Sequence, residues 1–581
     1  MNNEAIRKFY NKSKIFIFPL ALLLFALLKV NKGVDLTDAS YSLGNYRFFK
    51  EGSGIWFLLT YLSNVTGYIF TLLPGGSTML GMKVYCSLIV GLMGIVGYRF
   101  FMTKMPAWLA FIAEAVAIGM CWAPTVILYN YLTYFFLLLG CVFLFRGLAG
   151  CRNRCLILAG FFLGINAFVR FPNNGLEVLL IIALIYYCII ERMPSKEIVN
   201  KALLCVLGYA IGFGILLICV SLTYGWDSLG NMINGALGIS GSASDYTLGQ
   251  MIQSILDAYW HGFKWALYLI ICAILGIPFM LLFEDKYIRL RKIVYVLCIA
   301  FLFFVLYKWG MYNFKYYQKE SALQWGAIFL LISIAISIWL MLSRRFNNDW
   351  KLIGCISLII ILITPLGSNN YIWPALNNLF FVAPLTAWII YLKARWGRKY
   401  LDATRKVPLF SVKAMVSAAV IMFAIQAIGV GCAYVFLDGE DGSEPLYAIE
   451  NNSVLKGMRT NASNADSLTE LSTYFAANQD IFGADRKLIL YGNIPGISYY
   501  LDRPSALNTT WSDLASNPLE DMQAAISKID ASDPATRPIV ILGRGIYDCP
   551  DNSIKLDMIN QFIDEYEYAQ TFINAEFVIF E

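Results

Sequence analysis

"IWFLLTYLSNVTGYIFTLL", Ile55 to Leu73, is the stretch on which the topology of this chain turns. Its apolar length is enough to cross ~30 Å of hydrocarbon at ~1.5 Å per residue. Read as a span, it makes the following "PGGSTMLG" an inside loop with no basic residue and turns neighbouring basic connectors outward, against the positive-inside rule. Read as a helix lying on the outer membrane surface, it leaves that rule intact. We adopt the second reading, which makes residues 31–79 one long first external loop.

Working outward, the chain has 581 residues, 58% hydrophobic and 14% charged, too apolar and too long for one soluble core. Further apolar runs lie at roughly Ile15–Val30, Leu80–Phe101, Ala107–Ala123, Leu128–Phe145, Cys155–Val169, Leu176–Ile190 and Ala202–Tyr224. Others lie at Phe263–Phe283, Ile293–Trp309, Leu323–Leu342, Leu352–Pro365, Leu376–Leu392 and Ala414–Phe436, which gives about thirteen spans. With the N-terminus inside, the inside segments carry 26 Lys and Arg and the outside connectors with their flanking ends 10. The basic start (Arg7, Lys8, Lys12, Lys14) lacks an A-x-A-like cleavage site and predicts an uncleaved first span. The expectation is a multi-pass protein of the plasma (cytoplasmic) membrane with a cytoplasmic N-terminus.

Charge divides the chain. From Asp438 onward there are 9 Lys and Arg against 23 Asp and Glu, and before it 36 against 16. We read residues 1–436 as the transmembrane domain and 437–581 as a small extracytoplasmic α/β domain. In the latter, "KLILYGNIPGISYYL" predicts a strand, a Gly/Pro turn and a short helix; "PLEDMQAAISKI" predicts an amphipathic helix, and "RPIVILG" and "EFVIF" two more strands. The 13 cysteines show no CxxC and no Cys/His cluster, so neither a disulfide framework nor a zinc site is implied. Basic residues are spread over the inside loops rather than one face, which argues against nucleic-acid binding. Four N-x-Ser/Thr sequons (Asn64, Asn451, Asn461, Asn508) fall on the outer side. Glu114 is the carboxylate placed well inside a span, a sparse endowment for a transporter.

The first external loop opens with "KGVDLTDASYSLGNYRFFK", Lys32 to Lys50, which puts Asp35 and Asp38 where the chain has just left the bilayer. One account makes Asp38 the N-cap of an amphipathic surface helix. The other makes it a general base that takes a proton from an acceptor hydroxyl as a lipid phosphate leaves. The two roles can coexist.

"TDASY", Thr37 to Tyr41, following the first span, resembles the first external loop of the GT-C polytopic glycosyltransferases, such as the protein O-mannosyltransferases and the lipid A aminoarabinose transferases. The likeness extends to topology over most of the chain. It implies a GT-C-like fold, an inverting transfer of a hexose or pentose from a polyprenyl-phosphate sugar, Asp38 as base and Tyr41 in the substrate site. Ala39 stands where those families often have Glu, so the second carboxylate is either absent or supplied by Asp35. A divalent metal, if one is used, would fall to Asp35 and Asp38; no other cofactor is implied.

The same likeness draws in "YNYLTYFFLLLG", Tyr129 to Gly140, which is equally an aromatic belt at the bilayer boundary. In "FVRFPNNGLE", Arg170 either binds the donor phosphate as a bidentate fork or snorkels in a pair with Glu177. Lys315 and Lys319 put positive charge on an outer loop, suiting a polyprenyl phosphate or anionic headgroups. Asn369, Asn370 and Tyr371, in the loop "TPLGSNNYIWPALNN", would hydrogen-bond sugar or phosphate, or merely serve the turn. His261, the single histidine, is an interfacial side chain or a substrate contact, beside a Gly/Ser-rich stretch, Asn234–Gln250, with the makings of a lid. The expected partners are the bilayer, the lipid-linked donor and a glycan, lipid or protein acceptor. The competing readings are a transporter or flippase of lipid-linked glycans, and an O-antigen polymerase or ligase.

Overall fold

The computed structural model describes residues 11–52, 54–239, 247–282, 287–313, 320–399, 409–436, 446–483, 486–514, 516–544 and 552–581. The predicted apolar runs are helical over most of their length among these residues. In chain order they are α1 (Ser13–Ala26), α5 (Met79–Phe101), α6 (Ala107–Met120), α7 (Leu128–Ala149), α8 (Asn153–Asn166), α9 (Asn173–Ile190) and α10 (Ser195–Tyr224). They continue with α12 (Leu248–Phe279), α13 (Ile288–Lys308), α14 (Ser321–Leu342), α15 (Asn348–Ile363), α17 (Val382–Lys399) and α18 (Leu409–Ala433). Among the described residues, eight helices are long and apolar enough to cross a membrane: α5, α7, α9, α10, α12, α13, α14 and α18. Large apolar side chains on α10, α12 and α13, such as Leu222, Leu275, Leu297 and Phe301, stay exposed on a face that hydrocarbon would cover. The chain is a multi-pass membrane protein.

Without a hydrophobic driving force between helices inside lipid, close packing depends on small residues. The seam between α8 and α10 shows this directly. A Cβ at Gly160 would fall 1.9 Å from the Cys205 carbonyl oxygen and one at Gly164 2.3 Å from that of Tyr209. From the other side, Gly208 would meet Ile157 O at 2.0 Å and Gly212 would meet Phe161 O at 2.4 Å. Two small-xxx-small pairs thus bring the backbones together.

The deciding stretch, Ile55–Leu73, is not one continuous helix. It is split into α3 (Ile55–Leu59) and α4 (Tyr61–Thr71), with Thr60 at φ −116°, ψ 31° between them. The split has a local cause: Asn64, fully buried, donates its Nδ2 to Phe57 O and Thr60 Oγ1. It also lets the backbone pair with the connector after α8, through Leu62 N to Phe168 O and Phe171 N to Leu59 O, both 2.9 Å. Asn64, one of the four sequon asparagines, is therefore a buried side chain. The Gly/Ser-rich stretch is also more ordered than a loop, since α11 (Ser228–Ile239) occupies its first part and packs on α3; residues 240–246 lie outside the described residues.

After α18 the chain forms a ribbon of β1 (Tyr447–Ala448) with β2 (Arg459–Thr460), then α19 (Ala462–Ala477) and α20 (Gln479–Phe482). There follow β3 (Leu488–Tyr491), α21 (Gly496–Tyr500), α22 (Leu519–Ile526), β4 (Ile539–Gly543), α23 (Asn552–Glu565), β5 (Gln570–Ile573) and β6 (Phe577–Phe580). The four-stranded sheet runs β3-β4-β6-β5, with β3 parallel to β4 and the other pairs antiparallel. Every element predicted for this region is present. The sequence reading missed β1, β2, α19, α20, α23 and β5.

Candidate active site

Residues Asp38–Arg47 form helix α2, and the preceding Asp35 builds its start. One carboxylate oxygen of Asp35 accepts from Thr37 N (2.8 Å) and Thr37 Oγ1 (2.7 Å), the other from Ala39 N (2.6 Å). The expected cap therefore comes from Asp35 and not from Asp38, because Asp35 already serves the free N–H groups of the first turn. Asp38 is left as the first helical residue, half-buried, and among the described residues its carboxylate accepts no hydrogen bond. Burial, and then the charge of Asp35, push the Asp38 carboxyl up to about 7. Burial also raises Asp35, against the bonds from Thr37 and Ala39.

Helix α2 is wedged between the membrane helices and the C-terminal domain. On one side Tyr46, fully buried, donates to Val126 O (3.0 Å) and accepts from Leu128 N (3.1 Å). Gly67 of α4 lies on the Tyr46 ring so closely that a Cβ would sit 2.2 Å from Cγ. On the other side Gly496 N donates to Leu36 O (3.0 Å), the Tyr500 hydroxyl donates to Asp35 O, and Arg47 pairs with both Asp502 oxygens at 2.7 and 2.8 Å. The loop before α2 is tied as well: Gly33 N donates to Arg459 O, and Lys83 Nζ donates to the carbonyls of Lys32 and Gly33. The C-terminal α/β region thus braces the loop that joins α1 to α5.

Arg170 occupies the connector that the broken α3–α4 helix receives. Its guanidinium lies over the Tyr129 ring, 5.5 Å from the centroid, and its Nη2 reaches Gly367 O at 3.5 Å. Asn173 Nδ2 donates to the same carbonyl at 2.7 Å. The expected pairing of Arg170 with Glu177 does not occur. Glu177 is buried and accepts both contacts of Asn166 Nδ2, at 2.7 and 2.9 Å, while Asn174 Nδ2 donates to Thr133 Oγ1 and Asn166 O. This network leaves the guanidinium facing a cavity shared with Thr133, Tyr134, Asn173 and Thr364.

The structure leaves the sequence candidates in two groups, Asp38 with Tyr41 on α2 and Arg170 beside the loop 364–378. From Asp38, two turns of α2, ~12 Å at 1.5 Å per residue, lead to Tyr46. Tyr46 touches Leu128, Tyr129 follows, and Arg170 with the loop 364–378 lies beyond. In that loop Tyr371 has φ +51°, and the side chains of Asn369 and Asn370 make no hydrogen bond among the described residues. Tyr41, one turn from Asp38, meets Thr509 Oγ1 (3.4 Å) and the Trp511 ring (5.5 Å between centroids). His261 sits apart on α12, with Nδ1 facing Asp257 O and Oδ1 of its own helix. Lys315 and Lys319 lie outside the described residues. Glu114 is buried in α6, opposite Gly97.

Three hydrogen bonds already engage the Asp35 oxygens, two on Oδ1 and one on Oδ2. Among the described residues no group of three or more His, Cys, Asp or Glu side chains gathers as metal ligands. Sequence reasoning missed Thr509, Trp511 and the Asn166–Asn174–Glu177 network. Only the amide run "FVRFPNN" hinted at the last.

No family model matches the chain, and no characterised protein matches its sequence. Among solved structures, the chain is similar to ArnT from Cupriavidus metallidurans, a structure bound to undecaprenyl phosphate. That match has 13% identity and a TM-score of 0.42, covering 98% of each chain. It is also similar to the Archaeoglobus fulgidus oligosaccharyltransferase in complex with Zn and sulfate, at 12% identity and a TM-score of 0.43, covering 90% of this chain and 68% of the other.

Proposed function

We propose that this protein is a membrane glycosyltransferase of GT-C type that moves a sugar from a polyprenyl-phosphate donor to an acceptor hydroxyl on the extracytoplasmic side of the membrane. The observation that carries this reading is the division of labour between two neighbouring carboxylates. Asp35 caps α2, which leaves Asp38 uncapped, half-buried and raised to about 7. A base with that value is matched to a neutral medium. In the reaction Asp38 accepts the hydroxyl proton as the acceptor oxygen forms its bond to the anomeric carbon. The bond from that carbon to the phosphate oxygen breaks with inversion, and its electron pair stays on the phosphate. Arg170 has donors to spare and stabilises that charge, with Lys315 or Lys319 as further cations. Asn369, Asn370 and Tyr371, in the loop that follows the cavity residues Thr364 and Leu366, are assigned as sugar contacts.

The test is turnover of a panel of radiolabelled polyprenyl-phosphate sugars by the purified protein. Asp38→Asn lowers transfer by about 10²–10⁴-fold and leaves donor binding. A flippase, for which buried Glu114 and Glu177 would be the working groups, would be indifferent to that change.

A further inference from the structure

We propose that a groove between α9 and α10 holds an acyl chain of an anionic phospholipid from the leaflet opposite Asp38, with the headgroup at the basic ends of α8 and α10. The inference goes beyond the glycosyltransferase reading and does not depend on it.

Shape comes first. Small residues press α8 against α10, whereas α9 leaves a groove of about 240 Å³ along the same seam. Its floor includes Leu180 and Leu184, both buried, and its mouth is Val178 and Val206, 45% and 54% exposed. The groove thus opens sideways, toward lipid. Of the described side chains that line it, those of Cys205 and Tyr209 alone carry a hydrogen-bonding atom, too few partners to hold water. A dry apolar cavity of about 150 Å³ takes benzene, so this one has room for a stretch of hydrocarbon chain.

Depth comes second. At ~1.5 Å per residue, α10 rises ~16 Å from Ser195 to Val206, and α8 rises ~15 Å from Asn153 to Leu163. Half of a hydrocarbon core is ~15 Å. From Val206 to Tyr224, the end of α10 on the Asp38 side, is ~27 Å by the same rise. A chain lodged here is therefore anchored where α8 and α10 begin and α9 ends. On the Asp38 side, Asn166 and Glu177 tie α8 to α9 between the groove and Arg170, which sets it apart from the proposed donor phosphate.

Charge comes third. Arg152, Arg154, Arg192 and Lys196 stand exposed at those ends, and among the described residues none of them has an ion-pair partner. The acids on the α9–α10 turn are engaged: Glu197 pairs with Lys201 at 3.4 Å, and Glu191 accepts from Asn348 Nδ2 at 2.8 Å. Uncommitted cations at the helix ends and an apolar groove above them complement a phosphate that carries an acyl chain. A free phosphate would use only the charged half.

The experiment uses the full chain in phosphatidylcholine nanodiscs with a trace of phosphatidylglycerol that carries a diazirine midway along one acyl chain. Light attaches this probe to the peptides holding Val178 and Val206, tenfold or more above the exposed faces of α12 and α13. Unlabelled phosphatidylglycerol suppresses that labelling tenfold or more, and the same amount of polyprenyl phosphate changes it less than twofold. Arg154→Gln combined with Lys196→Gln leaves Arg152 and Arg192 to keep the topology and lowers the labelling about tenfold. Val206→Phe, whose ring fills the mouth from the lipid side, lowers it by a similar factor. Labelling spread evenly onto α12 and α13, suppression by polyprenyl phosphate as strong as by phosphatidylglycerol, or wild-type labelling in either variant would each overturn the proposal. The competition is read on the wild type and stands whether or not a variant folds, and sugar transfer plays no part in the readout.

Discussion

The two ends of the candidate site are held in opposite ways. Around Asp38 the backbone is fastened from three directions, by Asp35 at the helix start, Tyr46 on the membrane side, and Gly496, Tyr500 and Asp502 on the domain side. Around Arg170 the connector is fixed by α3, α4 and Gly367, yet the guanidinium itself has one long bond at 3.5 Å and a ring beneath it. A proton acceptor works only when its position is set before the substrate arrives. A phosphate clamp gains by keeping its N–H groups uncommitted until the phosphate supplies their partners.

The largest effect that can break this contrast lies at its rigid end. Asp38→Asn lowers the transfer rate by about 10²–10⁴-fold without lowering the melting temperature, whereas Asp35→Asn costs about 1 kcal/mol of stability and leaves measurable transfer. The reverse pattern would exchange the roles assigned to the two residues. The wild-type rate should climb with pH and level off above about 7, where Asp38 has lost its proton. Stability runs the other way. The folded state holds this proton up to about 7 and the unfolded chain releases it near the ordinary carboxylate range, so Asp38's contribution declines as pH rises between those values.

At the open end, Arg170→Ala should cost about 10²-fold in kcat, and Arg170→Lys should recover little, because a point charge does not reproduce the fork. Next comes Gly67→Ala, where the added methyl meets the Tyr46 ring; a loss of about 1–3 kcal/mol should appear in thermal unfolding. The smallest effect belongs to the Arg47–Asp502 pair, whose side chains are 34% and 44% exposed. Replacing either by Ala should cost less than about 1 kcal/mol, and added salt should shrink the difference.

Much of this was legible in the sequence because the bilayer imposes a strong signal. Uninterrupted apolar length marked the helices, whereas the break at Thr60 within Ile55–Leu73 depends on the buried Asn64 and was not legible in spacing. The site was legible only in part. That Asp35 rather than Asp38 would cap α2 depends on which carboxylate reaches Ala39 N, a matter of backbone turn that spacing alone leaves open. Glu177 looked like the partner of Arg170 because the two are close in sequence, yet Asn166, on the preceding helix, claimed it. Thr509 and Trp511 meet Tyr41 across 468 and more positions, and nothing local in "NTTWSD" announces that meeting.

Strand order in the C-terminal sheet also couples regions far apart in the chain. β6, Phe577–Phe580, lies inside the sheet between β4 and β5, and β4 in turn pairs with β3. β3 leads into Gly496 and Tyr500, which hold the backbone of Leu36 and Asp35, so a substitution that loosens the pairing of β4 with β6 is transmitted toward the start of α2.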